Sequence, residues 1–500
     1  MFWFMAFVLA GGASFFFISN LFIKFDVMPV IMSLTPQSYT IKDIPFPSIT
    51  ICNMNSMRKT EAERILNSNL EEHDVDQKLI HDFCDTSNIT QTPEDQNITA
   101  DWEYIKKFMV KMSQPCHEML GLCMWHDEPL SCTNLFNPSL TDEGMCCVFN
   151  RLNRDLIFQN PQDVSDLNVT FPIDSVDWSP QRGYPENAPP DNLPRRVRGS
   201  GRHLGLTVVV DSEIDEYFCS SENGKGFKVL LNNPIETPKV SSFGISVAPG
   251  YETKMVIIPH IMTATPQLVN VDLSKRQCFF ENERQLLFYR TYTQRGCTLE
   301  CEANFTLAFC GCVQYFMPKN KETRICGRID RKCAIDAQRM MELSMNEAIL
   351  NFTFNTNKKL DLCNCLPGCH EMSFGFVISS APITDHLTLK PNFLGDKDYK
   401  YFKENKAIIH FFFMEKHFSG TVRGVLFGIT ELLSNAGGLL GLFMGFSFMS
   451  AVELVYFLTL RIWFHINKTR NATKPAENKL HSTSLGISAI YSKSKLPFSK

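Results

Sequence analysis

Two long apolar runs without a charged residue bracket this chain, and every cysteine lies between them. The first is Met1 to Phe22 and the second is Leu432 to Val452; neither holds Asp, Glu, Lys or Arg. Roughly 20 residues at about 1.5 Å rise cross the hydrocarbon core of a bilayer as a helix. All 18 cysteines fall from Cys52 to Cys369. Disulfides persist in oxidising compartments. The pattern predicts two membrane spans holding one large domain outside the cell. A cleaved signal peptide is the alternative for the first run, given the small residues from Ala10 to Ser14. That run lacks a basic n-region and is long for an h-region.

Sidedness has further support. Glycosylation sequons begin at Asn88, Asn97, Asn168, Asn304 and Asn351, all in the central segment. Beyond the second run come Arg461, Lys468, Arg470, Lys474 and Lys479, a cytoplasmic flank under the positive-inside rule. Both termini are then cytosolic, at the plasma membrane, and the sequons at Asn467 and Asn471 stay unglycosylated. The chain opens almost inside the first span, so a cytoplasmic amino-terminal arm is expected to be very short or to lie outside this sequence. The expected division is span one over 1–23, an extracellular domain over 24–424, span two over 425–460 and a tail over 461–500.

The central segment reads as mixed helix and strand, giving a membrane protein of α+β class. Four prolines from Pro29 to Pro47 exclude a long helix there, while Ser48 to Cys52 alternates like a strand. Helical spacing runs from Arg58 to Phe83, through Ile65, Leu70 and Leu79, and again from Trp102 to Met112. Asn134 to Asn150 reads as turn-rich. Trp178 to His203 reads as an exposed loop. Strands are expected at Leu204–Asp211, Lys228–Leu231, Gly244–Ala248, Met255–Ile258 and Lys406–Met414.

Cysteine density peaks from Cys278 to Cys369. Cys297 and Cys301 are four apart and share one helix face. Zinc is the alternative to disulfides here, since such spacings also suit a metal, but an oxidising compartment favours a stapled structural element. Spacing alone leaves the connectivity open.

In the second span Gly437, Gly441 and Gly445 recur every four residues and put small side chains on one helix face. Close helix packing and pore lining both fit that ridge. Glycine allows a helix to break and expose carbonyls to a cation. Glu453 near the inner end is costly in lipid without a polar role, although an interfacial position would also accommodate it.

The segment Phe46-Pro-Ser-Ile-Thr-Ile-Cys-Asn53 resembles the post-membrane signature of the degenerin/epithelial sodium channel family. So do Cys297-x3-Cys301 through Cys310-Gly-Cys312, and Cys363-Asn-Cys365-Leu-Pro-Gly-Cys369. Gly437-Gly438-Leu-Leu-Gly441-Leu-Phe-Met-Gly445-Phe446-Ser447 resembles the family's second span. Cys146-Cys147 before Val-Phe-Asn150, and Pro194-Arg195-Arg196 to Gly205-Leu206-Thr-Val208, are most similar to the insect pickpocket branch.

The resemblance implies an ectodomain of palm, β-ball, finger (about 56–150), thumb (about 278–369) and knuckle. It implies thumb pairs Cys278–Cys369, Cys297–Cys365, Cys301–Cys363, Cys310–Cys333 and Cys312–Cys326, with Cys52–Cys146 and Cys123–Cys132 elsewhere. Cys84, Cys116, Cys147 and Cys219 stay unassigned. It places a selectivity filter at Gly445, Phe446 and Ser447 and a gate at Ser434. Phe446 departs from the small middle residue of many members. Asn435 stands where some relatives carry Asp. The implied protein is a trimer subunit, homomeric or heteromeric, of an amiloride-sensitive sodium channel in membrane lipid, gated through its ectodomain and sensory in role.

Rival readings are a non-conducting accessory subunit or surface receptor, an ATP-gated channel and a membrane-anchored ecto-enzyme. No P-loop, H-E-x-x-H or G-x-S-x-G motif gives catalysis a foothold, and no cofactor or metal is expected. No basic stripe with interleaved aromatics points to nucleic acid. Arg195-Arg196-Val197-Arg198 fits a minimal R-x-x-R protease site or a solvated basic loop. Asp336, Glu342 and Glu347 read as a wet helix face, with a proton-sensing cluster as the alternative.

Overall fold

The computed structural model describes residues 1–27, 29–68, 74–84, 102–164, 166–169, 171–344, 363–384, 398–426 and 428–466. The chain divides into two units. One comprises Met1–Asp26 and Phe427–Lys500, the other Val27–Leu426. The sequons at Asn88, Asn97, Asn351, Asn467 and Asn471, together with Glu347, lie outside the described residues.

In the first unit, helix α1 (Phe2–Val27) has almost no buried side chain. It runs past Lys24 and Asp26, so the helix is longer than the apolar run that predicts it. The second span is two helices. The first covers Ile429–Met444, and the second starts at Phe448 and continues through a π-helical turn at Tyr456–Arg461 to Ile466. Phe17 stacks on Phe443 with ring centroids 5.6 Å apart.

The larger unit is built on two sheets. Eight strands form the main one: β1 (Val30–Leu34), β2 (Leu120–Trp125), β3 (Glu128–Leu130), β4 (Leu206–Asp211), β5 (Tyr251–Ala264), β6 (Glu371–Pro382), β7 (Lys406–Phe413) and β8 (Thr421–Val425). Their order is β1-β8-β5-β7-β4-β2-β3, with β6 also paired to β5. Five strands form the smaller sheet, in the order Ile245–Val247, Phe227–Asn232, Ser48–Asn53, Gly144–Phe149 and Phe136–Thr141. The expected strand Met255–Ile258 is only the middle of β5. There Met255, Ile257, Pro259 and Ile261 are buried and alternate with more exposed neighbours, as a half-buried strand requires.

Phe46 joins the two sheets. It is fully buried, and its ring meets the edges of Trp125 on β2 and Phe413 on β7, with centroids 5.2 and 5.4 Å away. Phe149 of the smaller sheet completes the cluster at 6.1 Å. Edge-to-face rings of this kind add packing energy beyond area burial.

Three expectations fail locally. Asn134–Asn150 contains a hairpin, Phe136–Thr141 with Gly144–Phe149. Pro138 conceals the first strand, which an edge position tolerates. The helical stretch from Arg58 is broken into Lys59–Leu66 and Asp74–Cys84. The loop Trp178–His203 is largely exposed over 181–191, as expected, but its stretch 193–197 is sewn into the core. Arg195 is 7% exposed, its carbonyl accepts the Phe46 N–H at 2.8 Å and its N–H donates to Asn150 Oδ1. Val197 is buried as well. A protease needs an extended, accessible segment, so the R-x-x-R pattern is not presented as a cleavage site.

Candidate pore and the ectodomain attached to it

The second span departs from helix at the tripeptide Gly445-Phe446-Ser447. Gly445 adopts φ +62°, a left-handed conformation that costs a residue with a Cβ about 1 kcal/mol or more. The Gly445 N–H donates to the carbonyls of Leu440 and Gly441, and the Phe446 N–H reaches back to Leu440 O at 3.4 Å. These bonds close the ladder early. The last carbonyls of a helix have no partner within it, so the break leaves those of Leu442, Phe443 and Met444 outside the ladder of their own helix. Ser447 then caps the next helix, in a capping box with Ser450.

Ser434, Gly437, Gly438, Gly441 and Gly445 fall within about 60° of one line along the helix, at about 100° per residue. All five are exposed in the single chain. A Cβ added at Gly437 or Gly438 would meet nothing within 4 Å. Their smallness is thus not required by any contact among the described residues. Asn435 is exposed beside that face, Phe446 is 38% exposed, and Glu453 is exposed on the helix beyond the break.

The strand β1 follows α1 in the chain, and β8 leads to the helix Ile429–Met444. The two strands pair antiparallel from Val30↔Val425 to Leu34↔Thr421. Ile51 and Ile408 also stand in extended segments of the ectodomain. Those residues lie on buried inner strands, and β1 and β8 are the strands adjacent to the spans.

All 18 cysteines are oxidised, in nine disulfides. Seven are the pairs the resemblance implies, and the thiolates a zinc site would need are bonded to one another. Helix Gln294–Cys310 is stapled twice to the strand-like segment beyond 362, through Cys297–Cys365 and Cys301–Cys363. Cys310–Cys333 ties it to helix Arg331–Ser344. The four unassigned cysteines form Cys84–Cys219 and Cys116–Cys147. Neighbours on a strand face opposite ways, which is why Cys146 and Cys147 take different partners.

Segment 236–239 grips the stapled helix. Lys239 pairs with the buried Glu302 at 2.8 Å, Thr237 shares a hydrogen bond with the Tyr289 hydroxyl, and Glu236 lies 3.8 Å from Arg295 Nε. Burial pushes the Glu236 carboxyl up to about 7; Arg295 opposes this and Glu371 adds to it. A carboxyl with a raised folded pKa binds its proton more tightly in the folded chain than in the unfolded one. Its stabilising contribution is full below about pH 4.5 and is lost as pH rises to about 7. Glu236→Gln is therefore expected to reduce the stability difference between pH 5 and pH 8 by up to about 3 kcal/mol. Unfolding of the purified protein across that range checks this, and an unchanged pH profile contradicts it.

The acidic helix face is ordinary. Asp336 and Glu342 are both exposed; Asp336 lies 3.8 Å from Arg339, and Glu342 accepts from Gln338. Asn304 is exposed on its helix. Asn168 is exposed too, and its Oδ1 accepts from Arg154 at 2.7 Å.

Comparison with known proteins bears directly on this architecture. The family described as "Amiloride-sensitive sodium channel" matches residues 1–457. Pickpocket protein 28 of Drosophila melanogaster is 36% identical over 466 residues, covering 91% of this chain and 73% of that protein. Sodium channel protein Nach of Drosophila melanogaster is 25% identical, covering 71% of this chain and 60% of its own length. Acid-sensing ion channel 4-B of Danio rerio is 22% identical over 454 residues, 88% of this chain and 67% of that protein. With two apolar helical spans around a disulfide-rich ectodomain and a family match over nearly its whole length, the chain belongs to the degenerin/epithelial (amiloride-sensitive) sodium channel family.

Proposed function

We propose that this chain is one subunit of a sodium-permeable, amiloride-sensitive cation channel, opened through its ectodomain rather than by voltage. The carrying observation is the helix break at Gly445-Phe446-Ser447, in line with an open face of small residues. Two spans cannot enclose a pore, so the proposed channel is a trimer of this chain or of related subunits. The face from Ser434 to Gly445 lines its axis. Carbonyls at the break replace part of the sodium ion's hydration shell, and Glu453 disfavours anions nearer the cytosol.

Assembly has support in the ectodomain. From Val377 onward β6 runs clear of the core, with Val377 57% and Ile378 40% exposed. Such apolar surface suits a contact between subunits. Both termini are cytoplasmic in this reading, and the exposed Asn168 and Asn304 are glycosylated. A stimulus sensed outside moves the stapled thumb, and the β1–β8 pair carries the motion to the spans. The role is sensory.

Ser447→Ala and Ser447→Cys test the filter. Each is expected to shift the reversal potential in mixed sodium and potassium, or to reduce unitary conductance. Unchanged reversal potentials and currents in every ion mixture overturn the assignment. A non-conducting accessory subunit is the second reading, favoured by the bulky Phe446 at the break. It predicts no current from this chain alone but altered current when a relative is co-expressed.

A further inference from the structure

A cavity of about 90 Å³ lies in the ectodomain between the smaller sheet, helix Trp102–Met112 and the segment 315–319. Three cationic side chains line it, Arg151, Arg154 and Lys319, together with the carboxylate of Asp166. Lys319 is 3% exposed. Its ammonium donates to the carbonyls of Tyr315 and Met317 and sits 4.5 Å from the centre of the Trp102 ring. Burial lowers its pKa to about 7. Among the described residues Arg151 makes only two hydrogen bonds, both long at 3.4 Å, to Ser139 Oγ and Thr237 Oγ1. Its Nε is buried without a partner, as is Nδ2 of Asn137 on the same lining.

Arg154 is paired, but neither Arg151 nor Lys319 has a carboxylate partner among the described residues. Asp166 lies within electrostatic reach of both, but Arg154 holds it at 2.8 Å. A guanidinium keeps its charge and offers five donors, and burying it unpaired is costly. The rest of the lining includes Leu152, Phe158, Phe171 and Phe316. A lining that holds both hydrogen-bond donors and apolar rings suits a ligand with a polar head and an apolar body.

We propose that this cavity is a binding site for a small organic carboxylate, with its headgroup on Arg151 and Asn137 and a short apolar body against the phenylalanines. Asn137 and Ser139 lie two apart on one edge strand and so share a face, and Ser139 already accepts from Arg151. The substitution Asn137→Asp therefore supplies the missing negative charge from within the protein. The site goes beyond ion conduction, and its test needs no current.

Thermal unfolding of the purified full chain in detergent, with sodium butyrate as the probe, decides the matter. Butyrate is expected to raise Tm in a saturable way, by about 2 °C at ten times its dissociation constant. Equal added sodium chloride is expected to leave Tm unchanged. Arg151→Gln should lose the response. Asn137→Asp, which needs no tolerance of a lost charge, should raise the basal Tm and lose the response. No butyrate shift in the wild type overturns the site. An equal shift with chloride overturns the carboxylate assignment, and a full response in Asn137→Asp overturns the placement of the headgroup.

Discussion

Cells expressing Ser434→Val are expected to carry a resting sodium current about tenfold larger than wild type, or more, and one that amiloride blocks. The family resemblance puts Ser434 where the pore helices meet when shut. In the structure Ser434 is exposed on the face it shares with Gly438 and Gly441, and a Cβ at Gly438 would meet nothing within 4 Å among the described residues. Added bulk in a closely packed contact costs about 1–3 kcal/mol. Only the closed state has that contact. Each 1.4 kcal/mol moves an open–closed equilibrium about tenfold, so the bias is toward open. Ser434→Ala, which adds no bulk, is expected to shut normally. A Ser434→Val channel that reaches the surface, responds to stimulation and shows wild-type resting current contradicts the gate assignment.

Gly445→Ala is expected to abolish most sodium current while leaving surface expression intact. At φ +62° the left-handed turn strains any residue with a Cβ by about 1 kcal/mol. Alanine also favours continuous helix over glycine by about 1 kcal/mol. Both terms oppose the break, and together they shift the span about 30-fold toward an unbroken helix. Its carbonyls would then return to the ladder and leave the ion without ligands. Single-channel recording with surface labelling checks this. Full conductance with wild-type ion selectivity in Gly445→Ala contradicts the role given to the break.

The spans and the oxidised ectodomain were legible because they rest on composition, namely charge-free runs and confined cysteines. Helix Trp102–Met112 was legible because its apolar side chains repeat with the helical period, and the strand at 227–232 because it is a short apolar run, buried along its whole length. The hairpin ending at Phe149 was not, since its first strand carries a proline that only an edge position permits. The buried course of Arg195 was not, because its partners Phe46 and Asn150 are distant in sequence. The same holds for Cys84–Cys219, 135 residues apart.

At the pore, the glycine spacing marked the face but left packing and lining equal. The left-handed Gly445 marks where the helix breaks, which spacing alone could not do. The cavity around Arg151 and Lys319 had no sequence signal at all. Two basic residues 168 positions apart attract notice only when folding leaves them without a counter-charge.

Cysteine accessibility along the second span tests the central claim most directly. Every native cysteine is already in a disulfide, so a single introduced thiol is the one target for a charged methanethiosulfonate reagent. With the channel held open, reagent applied to Ser434→Cys, Gly438→Cys and Gly441→Cys is expected to block sodium current. Leu432→Cys and Ala436→Cys, which face about 100° or more away from all of these glycines and Ser434, are expected to be unaffected. Block that ignores this helical rhythm, or none at positions 434, 438 and 441, would contradict a pore lined by this face.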